Sequence, residues 1–567
     1  QGTVIGNDQR SYSNEADNPF FLLEDNGNSF FQSHKTGNIT FGVRQNKYRF
    51  NISQSFDKIN ENSNEGYKPG TAFFPNGIFV NRRKMNSNYS LNAGGTYNGG
   101  YGDVRSTISV NYIFGNAHSK IDYPTMSYNY RRSSHDLDLN YQGIYDGDHV
   151  DAGIKLGNKI YASSTTLQND FFLPGASGYI QFNDIFNIEG LWAKLVSNFS
   201  NFNSELPVSA SFAQYGLTSL SAEQAFQYFP ITEVSGFKNL LPVRHTELTA
   251  RAEIYFKNKI SFEAEVFDRK IFDDVFPVFE NGSLQLKNIA DHRNKGAELT
   301  LVHNAHGKKV TLKNSLSFFH YRDMVTGVKD GYDFTPYAGF SNVNKAIVKG
   351  EPLGAITGNR FLRDEANIII IGSDGFPLVD PDVSVIGDPT PDFVMKISNG
   401  VTWKKFSINL DWEWKKGGDV WNGTQAVLDY YGRSSSSAGL RNTTGYVFTG
   451  VFDDGHPNNI PVDFYNPNAP FENNRWVRYG HTGVAEEYIQ SSDHIRINNI
   501  GLNYKLRAKK YIQTIAFTLT ASNIMVWSSY KGADPNQLLY DQSDTNGLDF
   551  FNLPSVKSFG FNVSIQF

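Results

Sequence analysis

The sequence has no cysteine among its 567 residues. This excludes disulfides, thiolate zinc sites and cysteine nucleophiles together. Net charge is also scarce, since 52 Lys and Arg against 57 Asp and Glu leave −5. No basic excess marks a nucleic-acid partner, and none is expected. Long apolar runs are missing too. The longest aliphatic cluster, Ile368–Ile371, falls far short of the ~18 residues of a membrane helix. No basic stretch followed by an apolar core comes after Gln1, so the signal-peptide pattern is not visible and was either removed or lies elsewhere. Aromatic residues, in contrast, abound: 45 Phe, 30 Tyr and 7 Trp, which a disordered chain lacks.

The dominant pattern is alternation with period two, the mark of strands with two unlike faces. Phe559, Phe561, Val563, Ile565 and Phe567 alternate with Ser558, Gly560, Asn562, Ser564 and Gln566. Phe406, Ile408, Leu410, Trp412 and Trp414 alternate with Ser407, Asn409, Asp411, Glu413 and Lys415. Leu248 to Phe256 and Ile260 to Val266 do the same, with Glu, Thr, Arg and Ser between. Such runs exceed the ~5–6 residues of a soluble strand and suit the ~9–11 of a tilted strand crossing a bilayer. A Lys or Arg facing lipid costs ~2–4 kcal/mol at the midplane. The apolar row is therefore expected to touch lipid, and the polar row to line a wet lumen. Trp412 and Trp414 come late in their run, where an aromatic girdle sits. The competing reading is a soluble β-sandwich or β-helix, with shorter strands and more regular turns.

Counting back from a periplasmic C-terminus, short turns alternate with long segments, as in outer-membrane barrels. About seventeen strands are expected between residue 37 and Phe567. Long extracellular loops are expected near 57–87, 200–244, 323–392, 417–493 and 524–555, and residues 1–36 are assigned to an extracellular segment. Single-chain bacterial barrels have even strand numbers, so an odd count starting outside predicts a barrel incomplete at its N-terminal side.

Several segments then carry a resemblance: Asn18-Pro19-Phe20-Phe21-Leu22-Leu23-Glu24, Asn294-Lys295-Gly296-Ala297-Glu298-Leu299, Gly387-Asp388-Pro389-Thr390-Pro391-Asp392-Phe393, Lys416-Gly417-Gly418-Asp419-Val420-Trp421-Asn422, Ile495-Arg496-Ile497, Ser522-Asn523-Ile524 and Tyr530-Lys531-Gly532-Ala533-Asp534-Pro535. Their order and spacing resemble the C-terminal part of the SusC/RagA-like family of TonB-dependent outer-membrane transporters, a family of Bacteroidota. The resemblance implies an all-β transmembrane barrel of 22 strands, with the plug domain and about five strands not matched here. It implies a non-enzymatic importer of oligosaccharides or peptides, capped by a SusD-like surface lipoprotein and energised by TonB through the plug. Outer-membrane lipid is an expected partner. The alternative is a SusC-like barrel serving as a structural subunit of a larger outer-membrane assembly, among other subunits of such a complex.

No catalytic, cofactor or metal residue is assigned. His303 and His306 read as flanking a turn, without a carboxylate at ligand spacing. Glu263 and Glu265 read as lumen positions rather than a glycosidase pair. Asp453-Asp454-Gly455-His456 reads as a turn, and the Gly94-Gly95 and Gly99-Gly100 pairs as hairpin glycines. No nucleophile elbow or His-Glu-x-x-His pattern occurs. The remaining candidates are loop aromatics, Trp421, Tyr430, Tyr431, Trp476 and Tyr479, positioned to stack on a ligand or touch a cap. The same residues would serve equally to pack the loops.

Overall fold

A computed structural model describes residues 4–5, 11–12, 29–67, 78–122, 127–164, 171–206, 215–220, 224–230, 240–257, 259–280, 283–340, 342–507, 512–536, 546–552 and 554–567. Seventeen strands form one barrel sheet. They run in chain order as Ser29–Gln45, Tyr48–Tyr67, Ile78–Tyr101, Val104–Asp122, Ser127–Asp146, Val150–Ser163, Phe171–Phe182, Leu191–Ser204, Val243–Phe256, Ile260–Glu280, Ser283–His306, Val310–Val328, Pro391–Trp403, Phe406–Gly417, His494–Arg507, Thr514–Ser528 and Ser558–Gln566. Neighbouring strands pair antiparallel, as in Val394↔Lys415, Ile408↔Leu502 and Phe517↔Val563. The ladders pair backbone groups from strand to strand, which a bilayer without water demands.

The side chains sort inside out relative to a soluble protein. Leu248 is 52% exposed and Val266 56% exposed, while Glu253 on the opposite row is 8% exposed. Phe406, Ile408, Trp412, Trp414, Phe559, Phe561, Val563, Ile565 and Phe567 are all exposed. A soluble sandwich would bury these rows against a second layer. Here they form an outward apolar band, and the fold is a transmembrane antiparallel β-barrel of the outer membrane.

Short turns close one end. Asn46 at φ 50° and Lys404 at φ 55° sit in two-residue hairpins, and Gly102 at φ 57° supplies the same left-handed conformation before Asp103. Such turns match the strand twist.

Three expectations need correction. The loop assigned to 57–87 is mostly ladder, because pairing continues to Tyr67 and resumes at Ile78. The segment assigned to 1–36 overlaps the strand that begins at Ser29, paired with Asn64. Asn60–Glu65 and Asn81–Lys84 are polar at every position, so no alternation marks these parts of the ladder as strand. Gly94 and Gly95 are mid-strand rather than in a hairpin. A Cβ on Gly94 would lie 2.8 Å from Asn51 Oδ1 and 3.0 Å from Asn111 Oδ1, so the glycine relieves crowding on that row. Parts of the expected 200–244 and 524–555 loops, and the Asn18–Glu24 segment, lie outside the described residues.

By packing, the chain divides into a unit of residues 1–179, 198–246 and 272–288 and a second unit of residues 180–197, 247–271 and 289–567. In the first unit, the longest strand, Ile78–Tyr101, pairs through Arg83↔Asp122 and Gly94↔Asn111 with the strand that follows it. The second unit holds three long folded loops. The loop after Val328 builds a four-stranded sheet of Phe334–Gly339, Val343–Val348, Ala355–Gly358 and Ser384–Gly387. The loop after Gly417 adds a strand, Asp419–Asn422, and helices Gly423–Tyr430, Ser435–Leu440 and Arg475–Arg478. The third loop lays Leu548–Asp549 parallel to Trp421–Asn422.

Candidate functional site: the loop assembly and the cavity beneath it

The motifs that carry the resemblance turn out to anchor the loops of the second unit. Gly417 and Gly418 adopt φ of 76° and 83°, and a Cβ on Gly417 would lie 2.7 Å from the Asp392 nitrogen. This lets the chain leave the barrel wall sharply. Asp419 then accepts from the Asp388 N–H at 2.9 Å and donates its own N–H to the Asp388 carbonyl at 2.7 Å. Asp388 also accepts from the Thr390 N–H at 2.8 Å. The Gly-Asp-Pro-Thr-Pro-Asp and Gly-Gly-Asp-Val-Trp-Asn motifs are thus two halves of one junction. Asn422 ends it as the cap of the next helix, accepting from the Gln425 N–H at 2.9 Å, a standard helix start. Arg496 and Asp534, from two further motifs, form a buried ion pair.

Above the junction the loops share two cores. One gathers Val343 and Ile356, Trp421, Ala426, Ala485 and Tyr488, and Leu548, with Phe340 and Phe550 packed against it. The other joins Phe361, Phe376, Val462, Tyr479 and Val484. Polar clamps reinforce them. Arg363 donates two bonds to Glu486 at 3.0 and 2.8 Å, and Glu486 also accepts from the Phe361 N–H at 3.0 Å. Tyr479 donates its hydroxyl to the Pro377 carbonyl at 2.7 Å. Asn359 donates to the Gly483 carbonyl at 2.5 Å and accepts from the Ala485 N–H at 3.1 Å.

The structure divides the five candidate aromatics. Trp421, Trp476 and Tyr479 are buried in these loop cores. Tyr430 is half-buried and packs edge-on against Tyr431, with centroids 5.1 Å apart. Tyr431 is 66% exposed. The Asp453–His456 turn is a tight hairpin, with Gly455 at φ 82° and the Phe452 N–H on the His456 carbonyl at 2.8 Å.

Arg478 and Asp374 lock two loops at 2.7 Å. Burial disfavours the Asp374 charge, but the Arg478 guanidinium and the Phe376 N–H overcome this and hold its carboxyl below the usual range. A depressed carboxyl binds fewer protons folded than unfolded, so its contribution is full above the ordinary carboxylate pKa. It is lost as pH falls through the lower, folded value. Hydrogen exchange at Gly372–Phe376, corrected for the intrinsic pH dependence, should therefore accelerate as pH drops below about 4. Asp374→Asn should remove that acid step.

Sequence reasoning missed the cavity beneath the loops. Its volume is about 430 Å³. The wall supplies Glu247, Glu265, Glu298 and Asp323 with Arg269, and the roof is Leu353, Pro389, Thr390 and Asn546 from two loops. Arg269 donates to Glu247 at 2.5 Å, and Asp323 accepts from His292 Nδ1 at 2.7 Å and from Asn294 at 3.1 Å. Phe267, Phe319 and Tyr321 form an aromatic ledge, with Phe319 and Tyr321 centroids 5.2 Å apart. Gly296, from the Asn-Lys-Gly-Ala-Glu motif, makes room for it, because a Cβ there would lie 2.4 Å from the Phe267 ring. The alternation of Glu263, Glu265 and Phe267 on one row was the available signal, but nothing local tells that loops residues away roof it.

Barrel, folded loops and cavity define an outer-membrane β-barrel whose extracellular loops roof part of its lumen. Comparison with known proteins agrees. The chain is 24% identical over 349 residues to TonB-dependent receptor P3 of Formosa agariphila, covering 55% of this chain and 33% of that protein. TonB-dependent receptor P26 of the same organism is 22% identical over 317 residues, covering 49% of this chain and 30% of that one. Among solved structures, the RagAB peptide transporter matches with a TM-score of 0.67 at 15% identity, covering 98% of this chain and 64% of that one. Its closed-closed state matches at 0.64 and 14% identity, covering 97% and 63%. No protein-family model matches the chain. The matched region spans about a third of the curated relatives' length; the chain is similar to TonB-dependent receptors in sequence and to the RagAB transporter barrel in fold.

Proposed function

We propose that this chain forms the barrel and extracellular loops of an energised outer-membrane importer for oligosaccharides or peptides. The observation that carries the reading is the cavity walled by Glu247, Glu265, Glu298 and Asp323 beside Phe267, Phe319 and Tyr321 and roofed by folded loops. Carboxylates accept hydrogen bonds from sugar hydroxyls or peptide N–H and ammonium groups, and aromatic faces support either ligand. No catalytic chemistry is needed, because import is a change of access coupled to binding. TonB would act through a plug, and a SusD-like lipoprotein would rest on the loops near Tyr430 and Tyr431. The RagAB peptide transporter, with a similar fold, favours a peptide. The structural-subunit alternative needs no such cavity.

Cells expressing the protein should accumulate labelled oligopeptides or oligosaccharides, and a protonophore should abolish the uptake. Uptake that is absent for both classes, or indifferent to the protonophore, contradicts the importer and favours the scaffold. Tyr431→Ala should weaken retention of a surface lipoprotein on purification without changing the heat-modifiable mobility of the folded barrel, since the side chain is exposed. Unchanged retention removes Tyr431 from the cap contact.

A further inference from the structure

Three short turns and the end of a fourth strand in the second unit carry cations in unbroken succession. They are Lys257 and Lys259, Lys308 and Lys309, Lys404 and Lys405, and Lys505 with Arg507 at the end of its strand, all exposed. Backbone bonds tie these segments side by side. The Lys259 carbonyl accepts from the Asn304 N–H at 2.6 Å, the Lys309 carbonyl from the Lys404 N–H at 3.1 Å, and the Lys405 carbonyl from the Lys505 N–H at 2.8 Å. The result is one basic arc. No acidic residue lies in 257–259, 307–309, 404–405 or 505–507, whereas the turns at 102–103, 147–149 and 183–190 carry Asp103, Asp148, and Asp184 with Glu189, and the turn at 46–47 carries Lys47 without an acid. Lys257 and Lys404 hold left-handed φ values of 48° and 55°, a conformation where Asn or Gly would cost less.

An aromatic row borders the arc on the membrane side. Trp403 and Phe406 are exposed, with ring centroids 6.4 Å apart, and Phe406 lies 4.5 Å from Tyr504. Lys404 Nζ sits 5.1 Å over the Trp403 ring and Lys257 Nζ 5.8 Å over Phe256. Beyond them the outward row continues with Val401 and Ile408. Cations stacked on aromatics at the rim of an apolar band place positive charge at headgroup depth.

We propose that this arc binds the phosphates of anionic phospholipids in the periplasmic leaflet of the outer membrane. Short turns face the periplasm in such barrels. The occupant is amphipathic by the geometry, since its anionic head meets the lysines while its acyl chains lie on the adjoining apolar band. A soluble acidic protein would use the charges but not the apolar row.

The test uses native mass spectrometry of the protein from micelles doped with phosphatidylglycerol or phosphatidylcholine. Phosphatidylglycerol should be retained preferentially, and the preference should fade with salt. A variant combining Lys309→Gln, Lys404→Gln, Lys405→Gln and Lys505→Gln should lose roughly tenfold or more of that retention. The matching Lys→Arg variant should keep it, and heat-modifiable mobility should report both variants as folded barrels. Equal retention of the two lipids by the native protein, or undiminished preference in the folded Gln variant, overturns the proposal. A soluble acidic protein captured in place of the lipid would overturn it as well.

Discussion

Replacing Trp421 by alanine should loosen all three long loops while leaving the barrel intact. Trp421 is 1% exposed and lies at the point where the loops meet. Its ring packs 5.5 Å from Phe340 of the first loop and stacks 6.4 Å from Phe550 of the third. Its backbone N–H bonds the Gly547 carbonyl at 2.9 Å. Removing so large a buried ring typically costs ~3–5 kcal/mol, because the transfer energy is lost and the void closes only partly. Each 1.4 kcal/mol is about a tenfold change in an opening equilibrium. Native-state hydrogen exchange at Val343–Val348 should therefore speed up by roughly a hundredfold or more, while exchange along Thr514–Ser528 should stay as it was. A change below about tenfold at Val343–Val348 would mean that the loops do not depend on this core.

Val266→Arg should be the most damaging single change on the barrel wall. Val266 is exposed on the outer row, six residues after Ile260, where the strand begins, close to the bilayer midplane for a tilted strand. An arginine there should lower unfolding stability in lipid vesicles by ~2–4 kcal/mol. Its neighbour Glu265 points the other way into the cavity. Glu265→Gln should shift stability by about 0.5 kcal/mol or less, as its Arg251 contact is long and partly solvated. In a soluble β-sandwich the two outcomes would not separate in this way, because water would receive the new charge at Val266.

Much of the barrel was legible because lipid imposes a strict rule on alternate residues. Ile260 to Val266 and Phe406 to Trp414 reveal both the strand and its lipid face. Legibility stopped where that rule stops. The stretch Asn81–Asn88 is paired strand with polar residues on both faces, so nothing in its pattern separates ladder from loop. Asp419 and Asp388 were recognisable as parts of motifs, yet their mutual bonds needed coordinates, since 31 residues separate them. The loop aromatics stayed divided between ligand contact and loop packing for a related reason. Trp421 and Tyr431 look alike in sequence, but one meets Phe340 and Phe550 across long stretches of chain and the other meets solvent. Burial of a loop residue is decided by distant partners, and local periodicity carries no trace of them. The cavity was hidden in the same way, its wall visible as alternating Glu263 and Glu265 and its roof invisible.

The absence of native cysteine opens the most direct test. Each of residues 260–267 can be replaced in turn by cysteine, spin-labelled and placed in lipid vesicles, with no competing thiol. Collision with oxygen, which partitions into hydrocarbon, should peak at 260, 262, 264 and 266, and collision with a water-soluble nickel chelate at 261, 263 and 265. A profile without that two-residue period, or one with nickel highest at 264 and 266, would contradict the lipid-facing assignment of the apolar row.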